Sequence, residues 1–300
     1  MAPTVALYNH NGMVGSHLLR YLLAAHEAGL IILYILHRSG SNIDAIPQGI
    51  ETRVVNFVKD SPNFDAELNR RAVQGINVFI SAAAKADLVN QVAILEALST
   101  STELATFIPS EYGIYWTEED YTHDNLKLAK FKDQLVDLAK SLNIPTTIIK
   151  VGSIPETTFG KVPDSGINVK ENKVSFYGDA RTRKTILASL EYIAAGVIEL
   201  ITTHKPSELA NKIYQFIEYE PTGEEIIQAL TVVHGRPPLI HINTEEELAE
   251  QYLKSIQEAI GAATKYKWGK VGFETPGERV TVKSYISIGL EAELKRFATK

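Results

Sequence analysis

Val5-Ala6-Leu7-Tyr8-Asn9-His10-Asn11-Gly12-Met13-Val14-Gly15-Ser16-His17 is the stretch whose reading decides the fold. Val5 to Tyr8 are apolar without interruption, which predicts a parallel strand buried on both faces. A turn follows over Asn9 to Gly12, and Met13 to Ala28 carries a helical apolar pattern. Strand, tight turn and helix form the unit by which a doubly wound α/β sheet presents helix N-terminal N–H groups to a pyrophosphate. The usual spacing puts glycines where Asn9, Gly12 and Gly15 stand. Asn enters the left-handed region more readily than other residues that carry a side chain, so Asn9 is compatible with the turn. Its Cβ and amide are expected to crowd a bound phosphate, and Asn9→Gly is then expected to tighten cofactor binding. Donation from the amide to the phosphate is the opposite reading. A plain structural turn is the alternative to a dinucleotide site.

The chain around this stretch has 300 residues, 45% hydrophobic and 22% charged. Those values fit a globular protein with one large domain or two smaller ones sharing a cleft. The formal net charge is -6 and no Lys/Arg run tracks a phosphate backbone, so no nucleic-acid partner is expected. Cys is absent, which removes disulfides, thiolate catalysis and Cys-ligated zinc. The His residues show neither His-x-x-x-His nor His-Glu-x-x-His spacing, so no metal is expected. The first strand begins almost at Met1, and the longest apolar run, Leu30 to Leu36, is too short to span a bilayer. The expectation is a cytoplasmic protein, monomer or homodimer, with a small-molecule substrate and no membrane contact.

Working outward, Gly29 ends the first helix and Leu30 to Leu36 predicts a second buried strand. An acidic residue about 20 residues beyond the glycine turn would bond a ribose 2′-OH and favour NAD. Arg38 stands in that region instead, with Ser39 and Ser41 beside it. An Arg fork with neighbouring hydroxyls suits a 2′-phosphate, hence NADP(H); a solvated Arg after a strand is the bland alternative. Further strands are predicted at Arg53 to Val58, Asn77 to Ser81, Ala105 to Ile108 and Thr146 to Val151. Helices are predicted at Asp65 to Gln74, Leu88 to Leu98 and Leu128 to Leu142. Ala82, Ala83 and Ala84 follow Ser81; their small side chains let a cofactor approach the backbone, or simply pack tightly. Strands alternating with helices give a parallel sheet covered on both faces, with ligands beyond the carboxyl ends of the strands.

Gly152 to Gly160 reads as a loop at such an end, and Val151 to Pro155 falls where a nicotinamide would lie. Phe159 closes a substrate pocket or belongs to the core. Beyond it come short strands within Asn168 to Phe176, a helix at Ala188 to Ile201 and a strand at Lys212 to Glu218. A helix at Thr222 to His234 follows, then a single helix at Thr244 to Ala262 opened by a capping pattern. The fold expected is a Rossmann-type doubly wound α/β sheet over 1–151. A smaller C-terminal α/β substrate domain spans 152–300, some of its elements returning to the main sheet.

The helix at Leu128 to Leu142 holds one anomaly. Leu128, Phe131, Leu135, Leu138, Ala139 and Leu142 share a face, with Lys130 and Lys140 on the polar side. Lys132 lies inside the apolar arc. It must snorkel out, pair with an acid or point into a cleft. Two rival signatures fail. Tyr266 and Lys270 give Tyr-x-x-x-Lys far from the cofactor half, and Gly152-Ser153 lacks the second glycine of a nucleophile elbow.

The string Phe107-Ile108-Pro109-Ser110-Glu111-Tyr112-Gly113 resembles the signature of the isoflavone-reductase-like and NmrA-like branch of atypical short-chain dehydrogenases. Further matches follow in order: the glycine turn, Arg38, Ser81-Ala82, Lys132, Asn143-Ile144-Pro145-Thr146-Thr147 and Lys173-Val174-Ser175-Phe176-Tyr177-Gly178-Asp179. Asn9 and Asn11 depart from the family's Gly and Thr. The resemblance implies NADP(H) bound by Asn9, Asn11, Gly12, Met13, Val14, Arg38, Ser81, Ala82 and Ala83 on one side. Pro109, Ser110, Lys132, Val151 and Ser153 complete that set, and Tyr112, Ile154 and Phe159 face the substrate. It implies an NADPH-dependent reductase of a small aromatic or heterocyclic metabolite, of the kind found in secondary metabolism, with Lys132 as general acid/base. The alternatives on the same fold are a non-catalytic NADP-sensing regulator acting through a protein partner, and a redox-neutral tailoring enzyme.

Overall fold

A computed structural model describes residues 2–83, 90–159 and 165–298, with Leu128 and Ala129 by backbone alone. Ala84, Gly160 and the start of the helix expected from Leu88 lie outside the described residues. The first strand, β1 (Thr4–Tyr8), leads into α1 (Met13–Glu27), β2 (Ile32–His37), β3 (Glu51–Val54), α2 (Ala66–Ala72) and β4 (Val78–Ser81). Then come α3 (Gln91–Leu98), β5 (Thr106–Ile108), two single turns of 3₁₀ helix at Asp120–Thr122 and Asp124–Leu126, α4 (Lys127–Ser141) and β6 (Thr147–Lys150).

The first five strands form a parallel sheet in the order β3-β2-β1-β4-β5. The order reverses between β1 and β4, so the carboxyl ends of these strands part around a crevice, the usual ligand position in open α/β sheets. Alternate residues of β1 feed the two faces. Val5 and Leu7 pack with Leu18 and Leu22 of α1, and Ala6 and Tyr8 with Ile94 of α3 and Leu135 of α4. This is the doubly wound arrangement expected from the apolar runs.

The second half adds α5 (Pro155–Thr158), β7 (Ile167–Asn168), β8 (Lys173–Phe176), α6 (Leu190–Thr203), α7 (Pro206–Leu209), β9 (Lys212–Phe216) and α8 (Gly223–His234). It ends with β10 (Leu239–Ile242), α9 (Glu245–Lys254), α10 (Ile256–Tyr266), a π-helical turn at Lys267–Val271, β11 (Glu278–Val280) and α11 (Leu290–Ala298). β6, β9 and β11 pair in parallel, and a bridge from Phe107 to Thr146 joins them to β5. The hydroxyls of Thr106 and Thr147 share a buried hydrogen bond of 2.7 Å across that seam. Residues of α6 share a core with α1. A separate sheet, β10-β8-β7, covers a third core around Trp268 and Phe176.

Several sequence expectations need correction. The single helix expected over Thr244 to Ala262 is two, because Ser255 is extended and its hydroxyl accepts from Glu258 N–H, opening a new helix. The third strand ends at Val54, since Asn56 N–H leaves the sheet for the Asn69 side chain at 2.9 Å. The second begins at Ile32, because Leu30 N–H still closes α1 on Ala25. The loop expected over Gly152 to Gly160 contains α5, started by Pro155 at its first position. β10, β11 and α11 were not anticipated. No helix among the described residues is long and apolar enough to cross a membrane.

Candidate active site

Asn9 adopts φ 65, the left-handed conformation that its place in the turn requires. Its amide turns across the sheet and donates to Ala82 O at 2.8 Å. The end of β1 is thereby tied to the end of β4. Two glycines make the close approach possible. A Cβ on Gly15 would stand 2.1 Å from Asn9 O, and one on Gly12 3.0 Å from Asn9 Nδ2. Gly12 caps α1 with extended backbone and no side-chain hydrogen bond caps the helix, so its positive end faces the turn.

Beside the turn, Asn42 O accepts from Asn11 Nδ2 at 2.7 Å and from His10 Nε2 at 3.0 Å. These bonds pin the segment after β2, which carries the exposed Arg38, to the glycine turn. His10 is buried, and that burial holds its imidazole below the ordinary histidine range. It is therefore neutral at pH 7, with Nε2–H as the donor.

Ser81, Ala82, Ala83, Pro109 and Ser110 are all buried at the carboxyl ends of β4 and β5. Ser110 Oγ donates to Ala83 O at 2.9 Å. At the end of β6, Val151 N–H donates to Gly113 O and Ser153 N–H to Ile186 O. Gly152 has φ 72 and would set a Cβ 2.6 Å from Ile186 O, so the chain turns there only with glycine.

These ends enclose a cavity of about 430 Å³. Of the residues expected at the site, Gly12, Met13, Val14, Ala82, Ala83 and Ser110 line it. So do Tyr112, Lys132, Ser153 and Ile154. Asn9, Asn11, Arg38, Ser81, Pro109 and Val151 are not among the residues that line it. Phe159 is drawn away into the third core, edge-on to Phe297 at 5.4 Å between ring centroids. It borders a neighbouring larger cavity, not the one that holds Lys132.

Lys132 reaches the cavity from α4, as its place in the apolar arc allowed. Leu135 and Ala139 of the same helix are buried against the sheet. Lys132 has no hydrogen bond or ion pair to a described residue. Burial, foremost, holds its ammonium below the ordinary lysine range; Glu111 opposes that shift and Lys150 adds to it. Lys130, expected on the solvent face, pairs with Glu118 at 2.6 Å and lies over the Tyr121 ring.

Sequence reading passed over Glu111, Lys150, Tyr121, Asp133 and Trp116, which also line the cavity. Lys150 Nζ lies 2.7 Å from Glu111 Oε2, and the Tyr121 hydroxyl donates to Asp133 Oδ2 at 2.6 Å. The one available signal was a lysine inside the apolar run Ile148-Ile149-Lys150-Val151, where an uncompensated charge is costly.

Chains of known structure share this architecture. Leucoanthocyanidin reductase from Vitis vinifera, in a binary complex with NADPH, matches with TM-score 0.71 at 18% identity, over 99% of this chain and 100% of that one. The fold is theirs to share. AtPrR2 with NADP+ and (+)-pinoresinol matches with TM-score 0.77 at 17% identity, over 99% of both chains. An isoflavone reductase matches with TM-score 0.73 at 16% identity, over 100% of this chain and 99% of that one. No family model matches the sequence, and no curated protein matches it.

Proposed function

We propose that the protein is an NADPH-dependent reductase of a small aromatic or heterocyclic metabolite. The observation that carries this reading is Lys132: it has no hydrogen bond or ion pair to a described residue, and it lines one cavity with Gly12, Met13 and Val14 at the N-terminus of α1. The residues present fit the cofactor. The uncapped first turn of α1 suits a pyrophosphate, Arg38 suits a 2′-phosphate, and Ala82 and Ala83 leave the backbone approachable. NADPH, when bound, supplies the hydride. Lys132 holds the proton that the substrate needs as the hydride arrives, and Trp116, Tyr112 and Ile154 offer the apolar surface against which a ring would lie. We divide the chain into a cofactor unit, 1–151, and a substrate unit, 152–300, with β9, β11 and α6 packed back on the former.

Screening small aromatic carbonyls, enones and imines for loss of NADPH absorbance tests the reading. Tight NADP binding with no turnover of any member favours the sensor instead. The intact turn at Asn9 supports a working cofactor site. Asn9→Gly keeps the conformation but removes the strut to Ala82. Losing one such bond, net about 0.5–1.5 kcal/mol, is expected to weaken NADPH up to roughly tenfold. Tighter binding of the variant in a calorimetric titration would show that Asn9 crowds the phosphate after all.

A further inference from the structure

Two lysines and two carboxylates share the wall of the Lys132 cavity, and they are partnered unequally. Lys150 and Glu111 form an ion pair whose side chains are only 7% and 5% exposed. The Lys150 ammonium also lies 5.7 Å from the centroid of the Tyr115 ring, over its face. Asp133 is held by the Tyr121 hydroxyl. Lys132 alone of the four has no bonded partner among the described residues. Three elements bring these groups together: Glu111 follows β5, Lys150 closes β6 and Lys132 stands on α4. Tyr112 and Tyr121 are the other titratable groups of the wall among the described residues. α10 contributes only Ile256, Ile260 and Thr264 to it.

A buried carboxylate without a cation is costly, and it takes whichever cation it can reach. Among the described residues of this wall the candidates are Lys150 and Lys132. Glu111 paired with Lys132 would hold that ammonium, and its proton, away from a substrate. We propose that Lys150 is a positioning residue: it keeps Glu111 in a buried ion pair and so leaves the Lys132 ammonium unpaired at the cavity wall. This rests on the reading of Lys132 as the proton donor. Lys150 need not touch the substrate to do so.

The test reads Lys132 directly in the full chain, by a carbon-13 NMR titration of labelled lysine side chains. The Lys132 signal is identified by its loss in Lys132→Ala. Lys150→Met releases Glu111 and removes a like charge, so the Lys132 midpoint is expected to move to higher pH. Glu111→Gln removes the strongest neighbouring charge that favours the ammonium, so the midpoint is expected to move to lower pH. An unchanged midpoint in Lys150→Met, or shifts of the same sign in both variants, overturns the proposal. Lys150→Met leaves a buried carboxylate unpaired and is the variant at risk of misfolding. Lys150→Met with Glu111→Gln removes the pair together, an exchange that folded proteins commonly tolerate. In that double variant Glu111 carries no charge to capture Lys132 and Asp133 stays on the Tyr121 hydroxyl, so the Lys132 midpoint is expected at or below the wild-type value; a higher one overturns the proposal. No turnover is measured, so the result stands apart from the loss of activity in Lys132→Ala that tests the reductase reading.

Discussion

Lys132→Ala is expected to remove most turnover, about 10²–10⁴-fold in rate, while NADPH still binds. The size follows from losing one positioned acid at the cavity wall. The retained binding follows from geometry. The cofactor-side residues Gly12, Ala82 and Ser110 are fixed by the turn, by Asn9 and by Ala83, without help from Lys132. The same account sets a pH dependence. Burial lowers the pKa of the ammonium, so the protonated form is present at acid pH and is lost as pH rises through that lowered value. Wild-type kcat is therefore expected to fall on the alkaline side earlier than an ordinary lysine would dictate. Lys140→Ala, on the exposed side of the same helix, is the control and is expected to be nearly silent. It is a cleaner control than Lys130, whose ammonium lies over a ring of the cavity wall.

Arg38→Ala is expected to weaken NADPH roughly ten- to a hundredfold and to leave NADH nearly unchanged. A charge-assisted hydrogen bond contributes about 1.5–3 kcal/mol, and only NADPH has the 2′-phosphate to receive it. The structure adds a reason for the discrimination to be firm. The segment that carries Arg38 is held to the glycine turn through Asn42, by both His10 and Asn11. Equal weakening of both cofactors in paired calorimetric titrations would make Arg38 a surface residue without a part in selection.

How much of this was legible beforehand depends on the range over which each signal acts. Val5 to Tyr8, Asn77 to Ser81 and the Lys132 anomaly are patterns within one element, and local pattern reads them well. Asn9 was legible too, since its left-handed turn is a property of residue type. The strut from its amide was not, because Ala82 lies 73 residues away. The same holds for Lys150 and Glu111, separated by 39 residues, and for His10 and Asn42, separated by 32. β10 escaped notice for a different reason. All four of its residues are exposed, so it carries no alternation to read. The break at Ser255 was hidden by an apolar pattern that continues through it, although Ser255 and Glu258 spell a second helix start.

The central claim is that hydride passes from nicotinamide to a substrate in the Lys132 cavity. Its most direct test uses NADPH carrying deuterium at the transferable nicotinamide position, supplied with a substrate that depletes NADPH absorbance or is otherwise converted. The product is then examined by mass spectrometry. The account predicts one deuterium per product molecule from the cofactor, with the accompanying proton drawn from solvent. Conversion of substrate into a product that holds no cofactor deuterium, with the NADPH unconsumed, would contradict it and leave a redox-neutral reaction on this fold.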